Sequence, residues 1–227
     1  WSSDVCSSDL ARDGEAAALP EGAARVVLIA GVGRGPVKVE ARQDILTPDG
    51  AVSLALPRLQ RRPQPVQHLE MTLSGVAVRS AEIEAVHALA QESLADRIAW
   101  MAARNLLRTV VKQQLRQAAV RQAEKDGGRG AAAAAAILGD VLTIATERAD
   151  LRCWSTLPDT WQVAITHAAP GVHPLALSVP GGLTADLGTI RLDPGETVFV
   201  LARTLGNDLH ARRVGGLEVP SAAETVP

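Results

Sequence analysis

Aromatic side chains are almost missing from this sequence: four Trp, one Phe and no Tyr in 227 residues. Any core it builds has to be aliphatic, drawn from Leu, Val, Ile and abundant Ala. Cysteine is as scarce, two in the chain, which excludes a disulfide-rich scaffold. No uninterrupted apolar run reaches about 18 residues, so no membrane-spanning helix is expected. Lysine is confined to Lys38, Lys112 and Lys125, and asparagine to Asn105 and Asn207. With three lysines among 23 cations, the other 20 are Arg. Beside the Ala excess, that bias is the imprint of a GC-rich genome, and Arg abundance alone does not argue for nucleic-acid affinity. What is present is ordinary for a globular protein: 47% hydrophobic, 21% charged, formal net charge −2.

Residues 1–10, Trp-Ser-Ser-Asp-Val-Cys-Ser-Ser-Asp-Leu, resemble at all ten positions the translation of a widely used sequencing-library adapter. On that reading the gene is truncated at its 5′ end, and the lack of a signal peptide says nothing of compartment. Cys6 then drops out and leaves Cys153, read as a small buried hydrophobe beside Trp154. Asp4 and Asp9 drop out as well, so 25 acids become 23 against 23 bases and the charge becomes zero.

Period and punctuation organise the remainder. Residues 11–24 are small and polar, a flexible lead-in. Arg25–Ala30 is a short aliphatic run, a buried strand. Val37, Val39 and Ala41 alternate with charged residues, Pro48-Asp49-Gly50 signals a turn, and Val52, Leu54 and Leu56 alternate again, which predicts a hairpin. Leu69, Met71 and Leu73 alternate next, and Gly75 to Arg79 closes the first β-rich part. The period then changes: Ile83, Val86, Ala90, Leu94, Ile98, Met101, Leu107, Val110, Val111 and Leu115 recur at helical steps. Ser80 is placed to cap this helix, with Glu82 and Glu84 in its first turn. Gly127-Gly128-Arg129-Gly130 stops it, and a second, Ala-rich helix follows from about Ala131 to Arg148. Trp161–Thr166, Pro174–Val179, Ala185–Leu192 and Thr197–Arg203 are strands separated by Pro-Gly turns. The expected architecture is α+β: one antiparallel β-sandwich-like domain over residues 25–205, a helical hairpin inserted at about 80–148, and a flexible tail over 206–227.

No catalytic constellation emerges. Gly31-Val32-Gly33-Arg34-Gly35-Pro36 lacks the third glycine and the following helix of a dinucleotide fingerprint, so it reads as a structural loop. His68, His87, His167, His173 and His210 contain no pair at zinc-protease spacing, although His167 and His173 flank a turn. No Gly-x-Ser-x-Gly elbow occurs. Neither an enzyme nor a cofactor is expected. The strongest electrostatic feature is Arg104, Arg108, Lys112 and Arg116 at four-residue steps, either a stripe for phosphate, anionic lipid or an acidic partner, or a solvated helix face.

Two segments are distinctive together: Pro36–Arg42 leading to Ser53–Arg58, and Thr146-Glu147-Arg148-Ala149-Asp150-Leu151-Arg152-Cys153-Trp154-Ser155-Thr156-Leu157-Pro158 followed by Pro170-Gly171-Val172-His173. With the helical hairpin between them, they resemble the C-terminal part of a bacterial family of uncharacterised outer-membrane lipoproteins with a TPR-like N-terminal half. The resemblance covers roughly residues 25–205. It implies a non-enzymatic accessory domain of the envelope, in the periplasm or at the outer membrane and linked to cell-wall assembly. The implied partner is an envelope protein or the missing N-terminal helices, with no nucleic acid, and with membrane attachment only through a lipid anchor on the lost N-terminus. The alternative is a carbohydrate- or peptidoglycan-binding β-sandwich. Asp150, Arg152 and Trp154 share one parity if extended and, with Trp161, form the expected interaction patch. The competing reading is a structural corner: an Asp–Arg pair at the helix exit, with Trp154 covering the core edge.

Overall fold

The structure, a computed structural model, describes residues 21–47 and 50–219. The adapter-like segment 1–10, residues 11–20 of the lead-in, Pro48 and Asp49 of the expected turn, and residues 220–227 lie outside the described residues. The chain is mixed α+β, with several antiparallel strand pairs and one long, kinked helix. It divides into two compact units in place of the single expected domain.

The first unit comprises residues up to Gly35, Arg62–His87 and the chain from Thr156 onward. β1 (Ala24–Val32) sits at the centre of a five-stranded sheet. Strand geometry points successive residues to opposite faces. Val26, Leu28 and Ala30 therefore go fully buried while Arg25 is exposed. β1 pairs antiparallel with β7 (Thr160–Ala168), whose far edge carries β6 (Ala81–Ala85). On its other side it pairs in parallel with β10 (Thr197–Leu205), a departure from an all-antiparallel sheet. β10 in turn pairs with β11 (Asp208–Val214). A second five-stranded sheet runs β12 (Leu217–Glu218), β9 (Thr184–Leu192), β8 (Gly171–Ser178), β4 (Glu70–Leu73), β5 (Val76–Arg79). One aliphatic cluster draws on both sheets, with Leu28, Leu69, Met71, Leu175, Leu177, Ile190 and Leu192 among its large members. Among the described residues no aromatic enters it.

β11 and β12 overturn the expectation of an elementless tail after residue 205. Leu209, Ala211 and Arg213 are half-buried between exposed Asp208, His210, Arg212 and Val214. That is a period-two pattern hidden by its charge.

The second unit comprises Pro36–Arg61 and Ala88–Ser155. β2 (Val37–Thr47) and β3 (Gly50–Gln60) form the expected hairpin, paired from Val37–Gln60 to Thr47–Gly50. α1 (Val86–Thr146) is kinked at Gly128, where φ 71° and ψ −167° leave the helical region. Glycine tolerates that conformation because no Cβ meets the backbone. The two arms fold into the expected helical hairpin, since Lys112 Nζ reaches Thr146 Oγ1 at 3.1 Å and Arg116 reaches Asp140. Gly139 lets the arms close: a Cβ there would stand 2.9 Å from Arg116 Cγ.

The helix start is corrected. Residues 81–85 are strand, α1 begins at Val86, and no acid occupies its first turn. Ser80 is committed elsewhere. Its N–H donates to Leu69 O at 2.8 Å, and its Oγ accepts from Leu69 N at 2.9 Å and donates to Gln162 Oε1 at 2.6 Å. A hydroxyl bonded on both sides inside the sheet has no capacity left to cap a helix.

Candidate functional site

The segment leaving α1 has no regular structure, so its order comes from side chains. Glu147, 3% exposed, accepts Lys112 Nζ at 2.8 Å. Arg42 donates to the carbonyls of Ile144 and Glu147, and Glu40 Oε2 accepts the Ala149 N–H at 2.8 Å. Beyond these anchors Asp150 and Arg152 form a two-pronged ion pair, Nε–Oδ1 2.9 Å and Nη2–Oδ2 2.8 Å, and the Arg152 N–H adds a third bond to Oδ1 at 3.1 Å. The guanidinium hydrogen bond is the main cause holding the Asp150 carboxyl well below the usual carboxylate range, and Asp150 raises Arg152 in return. Trp154 follows, 73% exposed, so it does not cover a core edge. Cys153 is exposed too, contrary to its reading as a buried hydrophobe. Of the four patch residues, Asp150, Arg152 and Trp154 belong to the second unit and Trp161 lies on β7 of the first, partly exposed.

The four cations at helical spacing do not act as one stripe. Lys112 is held by Glu147, and Arg116 forms a two-pronged bond with Asp140, 2.8 Å from Nε and 3.0 Å from Nη2. Both clamp the second arm to the first. Arg104 and Arg108 remain exposed. Asp140 also accepts the Ala51 N–H at 2.9 Å, and Asn105 Nδ2 donates to Ala55 O at 2.8 Å, so β3 is fixed against both arms.

The glycine loop after β1 leads into strand β2 and not a helix, and its organiser is a residue the motif does not contain. Arg203 Nη1 donates to the carbonyls of Gly31 (2.8 Å), Gly33 (2.6 Å) and Thr204 (2.8 Å), and Nη2 donates to Thr156 O (2.9 Å). Burial, with Arg34 nearby, lowers its affinity for a proton from the ordinary Arg value. The Gly33 N–H donates to Thr204 Oγ1 at 2.8 Å. Nothing in the local sequence announces Arg203, which lies about 170 positions from the loop it ties. A small cleft beside the loop, about 200 Å³, is lined by Arg34, Arg62, Gln64 and Thr204 among others. Gln64 is consumed there by the Arg34 backbone, accepting its N–H and donating to its carbonyl.

No family model, curated protein or solved structure matches the chain. Local chemistry therefore decides what each remaining group is for. Among the described residues no three His, Cys, Asp or Glu side chains group to hold a metal ion. His173 is used by Ser74 Oγ and Ala169 O, both at 2.8 Å, and His87 stands 3.4 Å from the buried Asp159. His68 stands 3.1 Å from Arg79 Nη2, and His167 accepts from Arg25 Nε at 3.4 Å. These contacts tie strands and loops together.

Proposed function

We propose that the chain is a non-enzymatic interaction domain of the bacterial envelope, the accessory part of a lipoprotein, working through protein contacts. The two five-stranded sheets of the first unit are a sandwich-like scaffold, and the segment after α1, in the second unit, is the contact surface. The observation that carries this is Trp154, 73% exposed beside the Asp150–Arg152 pair. An exposed indole next to a fixed ion pair supplies rigid contact area with a polar rim, the composition of an interface hot spot. The ion pair is itself exposed, Arg152 more than Asp150, and adds little stability, so folding does not account for it. The periplasm or outer membrane is the proposed location, from the resemblance of the Thr146–Pro158 run.

The test is affinity capture from envelope extracts with the wild-type chain and with Trp154→Ala. We expect a discrete partner that is retained by the wild type and lost, by roughly tenfold or more, with the variant. Equal capture by both would remove this surface from consideration. The second reading, a glycan-binding module, rests on the same indole, because a Trp face can stack on a sugar ring. Co-sedimentation with cell-wall sacculi that depends on Trp154 would favour it over a protein partner.

A further inference from the structure

On the second unit, positions 105, 109, 112 and 116 of the first arm and 140, 143, 144 and 147 of the second are turned to β2–β3 and to one another. They make the bonds described above, and Thr109 and Thr143 are buried among them. Half a turn away the same arms present the opposite chemistry. Trp100, Leu107, Val111, Leu115, Leu138 and Leu142 are all more than half exposed. Leu115, Leu138 and Leu142 also line a groove of about 320 Å³ between the arms. An 18-residue window of α1 reaches a mean hydropathy of 1.3 with only 6% of it buried. No uninterrupted apolar run of that length exists, but this window, which tolerates scattered charges, is long and apolar enough by length and composition to cross a membrane. Soluble proteins rarely leave so much contiguous apolar surface uncovered.

Crossing a bilayer and lying along one are different demands. Asp140 sits within the apolar arm, held by Arg116 and by the Ala51 N–H. A spanning helix would carry this network, and Lys112–Glu147 beside it, into hydrocarbon. A helix in the interface plane keeps the network on its protein side and gives lipid only the apolar face. The charges agree with that geometry. The line through Trp100, Leu107 and Val111 continues by helical steps to Arg121 and Lys125, with Arg104 and Arg108 along its border, and begins one step earlier at the exposed Asp96, so cations outnumber acids on it. All four cations are exposed, and no ion pair among the described residues engages them. Glu124 and Asp126 lie about a quarter turn to either side of Lys125. Cations beside an apolar face match the anionic headgroups over acyl chains.

We propose that the outward face of the α1 hairpin docks on the surface of a bilayer containing anionic phospholipid. This surface is separate from the Trp154 segment, so either reading stands without the other.

The experiment is co-sedimentation of the full chain with vesicles of phosphatidylcholine alone and of phosphatidylcholine mixed with phosphatidylglycerol. We expect binding to the mixed vesicles, weakened by salt, and little to phosphatidylcholine. Leu107→Glu with Val111→Glu, both exposed and outside any core, should lower the partition coefficient roughly tenfold or more. Arg121→Glu with Lys125→Glu should reduce binding to the mixed vesicles only. Circular dichroism matched to wild type shows that each variant keeps its helices. Absence of binding to both vesicle types overturns the proposal, as does undiminished binding by the Leu107/Val111 variant. A concentration-dependent dimer abolished by that variant, without lipid binding, assigns the face to a second copy and also overturns it.

Discussion

At the scale of single residues, the loop after β1 shows how a distant side chain can do what a local motif only hints at. Arg203 satisfies four carbonyls that the chain leaves open around Gly31–Gly33 and Thr156. Removing it strands those acceptors. Arg203→Ala should therefore cost about 2–4 kcal/mol in chemical denaturation, and Arg203→Lys should recover less than half, because an ammonium lacks the planar fork. Gly33 has φ +69°, and a Cβ there would come within 1.8 Å of Gln64 Oε1. Gly33→Ala should cost about 1–2 kcal/mol for the backbone alone, with Gln64 then displaced from Arg34. If both substitutions leave the denaturation midpoint unchanged, the loop is not anchored as described. The glycine run itself is legible in the sequence as a loop. Its anchor is not, because a guanidinium donating to backbone carbonyls requires no partner side chain that a motif could contain.

At the scale of elements, regular patterning was legible and its interruptions were not. The β2–β3 hairpin follows from alternation on either side of a turn signal, and the kink in α1 from glycines at 127, 128 and 130. The start of α1 failed because Ser80, Glu82 and Glu84 suit a helix N-terminus as well as an edge strand, and pairing with β7 decides between them. The cationic spacing failed as a stripe for a similar reason. Lys112 and Arg116 find their acids 35 and 24 residues onward in the second arm, beyond any local window. Acid–base pairing also secures the β2–β3 hairpin. Asp44 accepts from Ser53 Oγ at 2.5 Å and from Arg42 Nε at 2.9 Å, and these bonds, Ser53 first, lower its carboxyl from the ordinary 3.8. A carboxyl depressed in the folded state stabilises it fully above the unfolded value and loses that contribution as pH falls through the folded one. Carbon-detected titration should place Asp44 below 3.8 in the wild type and move it upward in Ser53→Ala. An unmoved Asp44 would leave the hydroxyl without the role assigned to it.

At the scale of the whole molecule, the sequence predicts one β domain with a helical insertion, and the residues gather into two compact units that alternate along the chain. The β part of the reading came through because its core needs only alternating aliphatic residues, which period two reveals. The parallel pairing of β1 with β10 did not, since those strands are some 170 residues apart and share no connecting signal. The exposure of the outward face of α1 was not legible in the sequence for a related reason. Its apolar positions read as core-facing until β2–β3 is seen to occupy the other side. A core with no aromatic among the described residues also changes what light reports. Among the described tryptophans, Trp100 and Trp154 are largely in water and Trp161 is mostly covered, so the emission of the first two approaches that of a free indole. Denaturation followed by tryptophan emission should show a much smaller change than the same transition followed by circular dichroism, and a large blue shift on unfolding-free titration would come from a ligand covering a face. A strongly blue-shifted native spectrum would mean that these indoles are already covered. At Trp100 and Trp154 fluorescence is a gauge of what touches the surface, and nearly blind to whether the interior is intact.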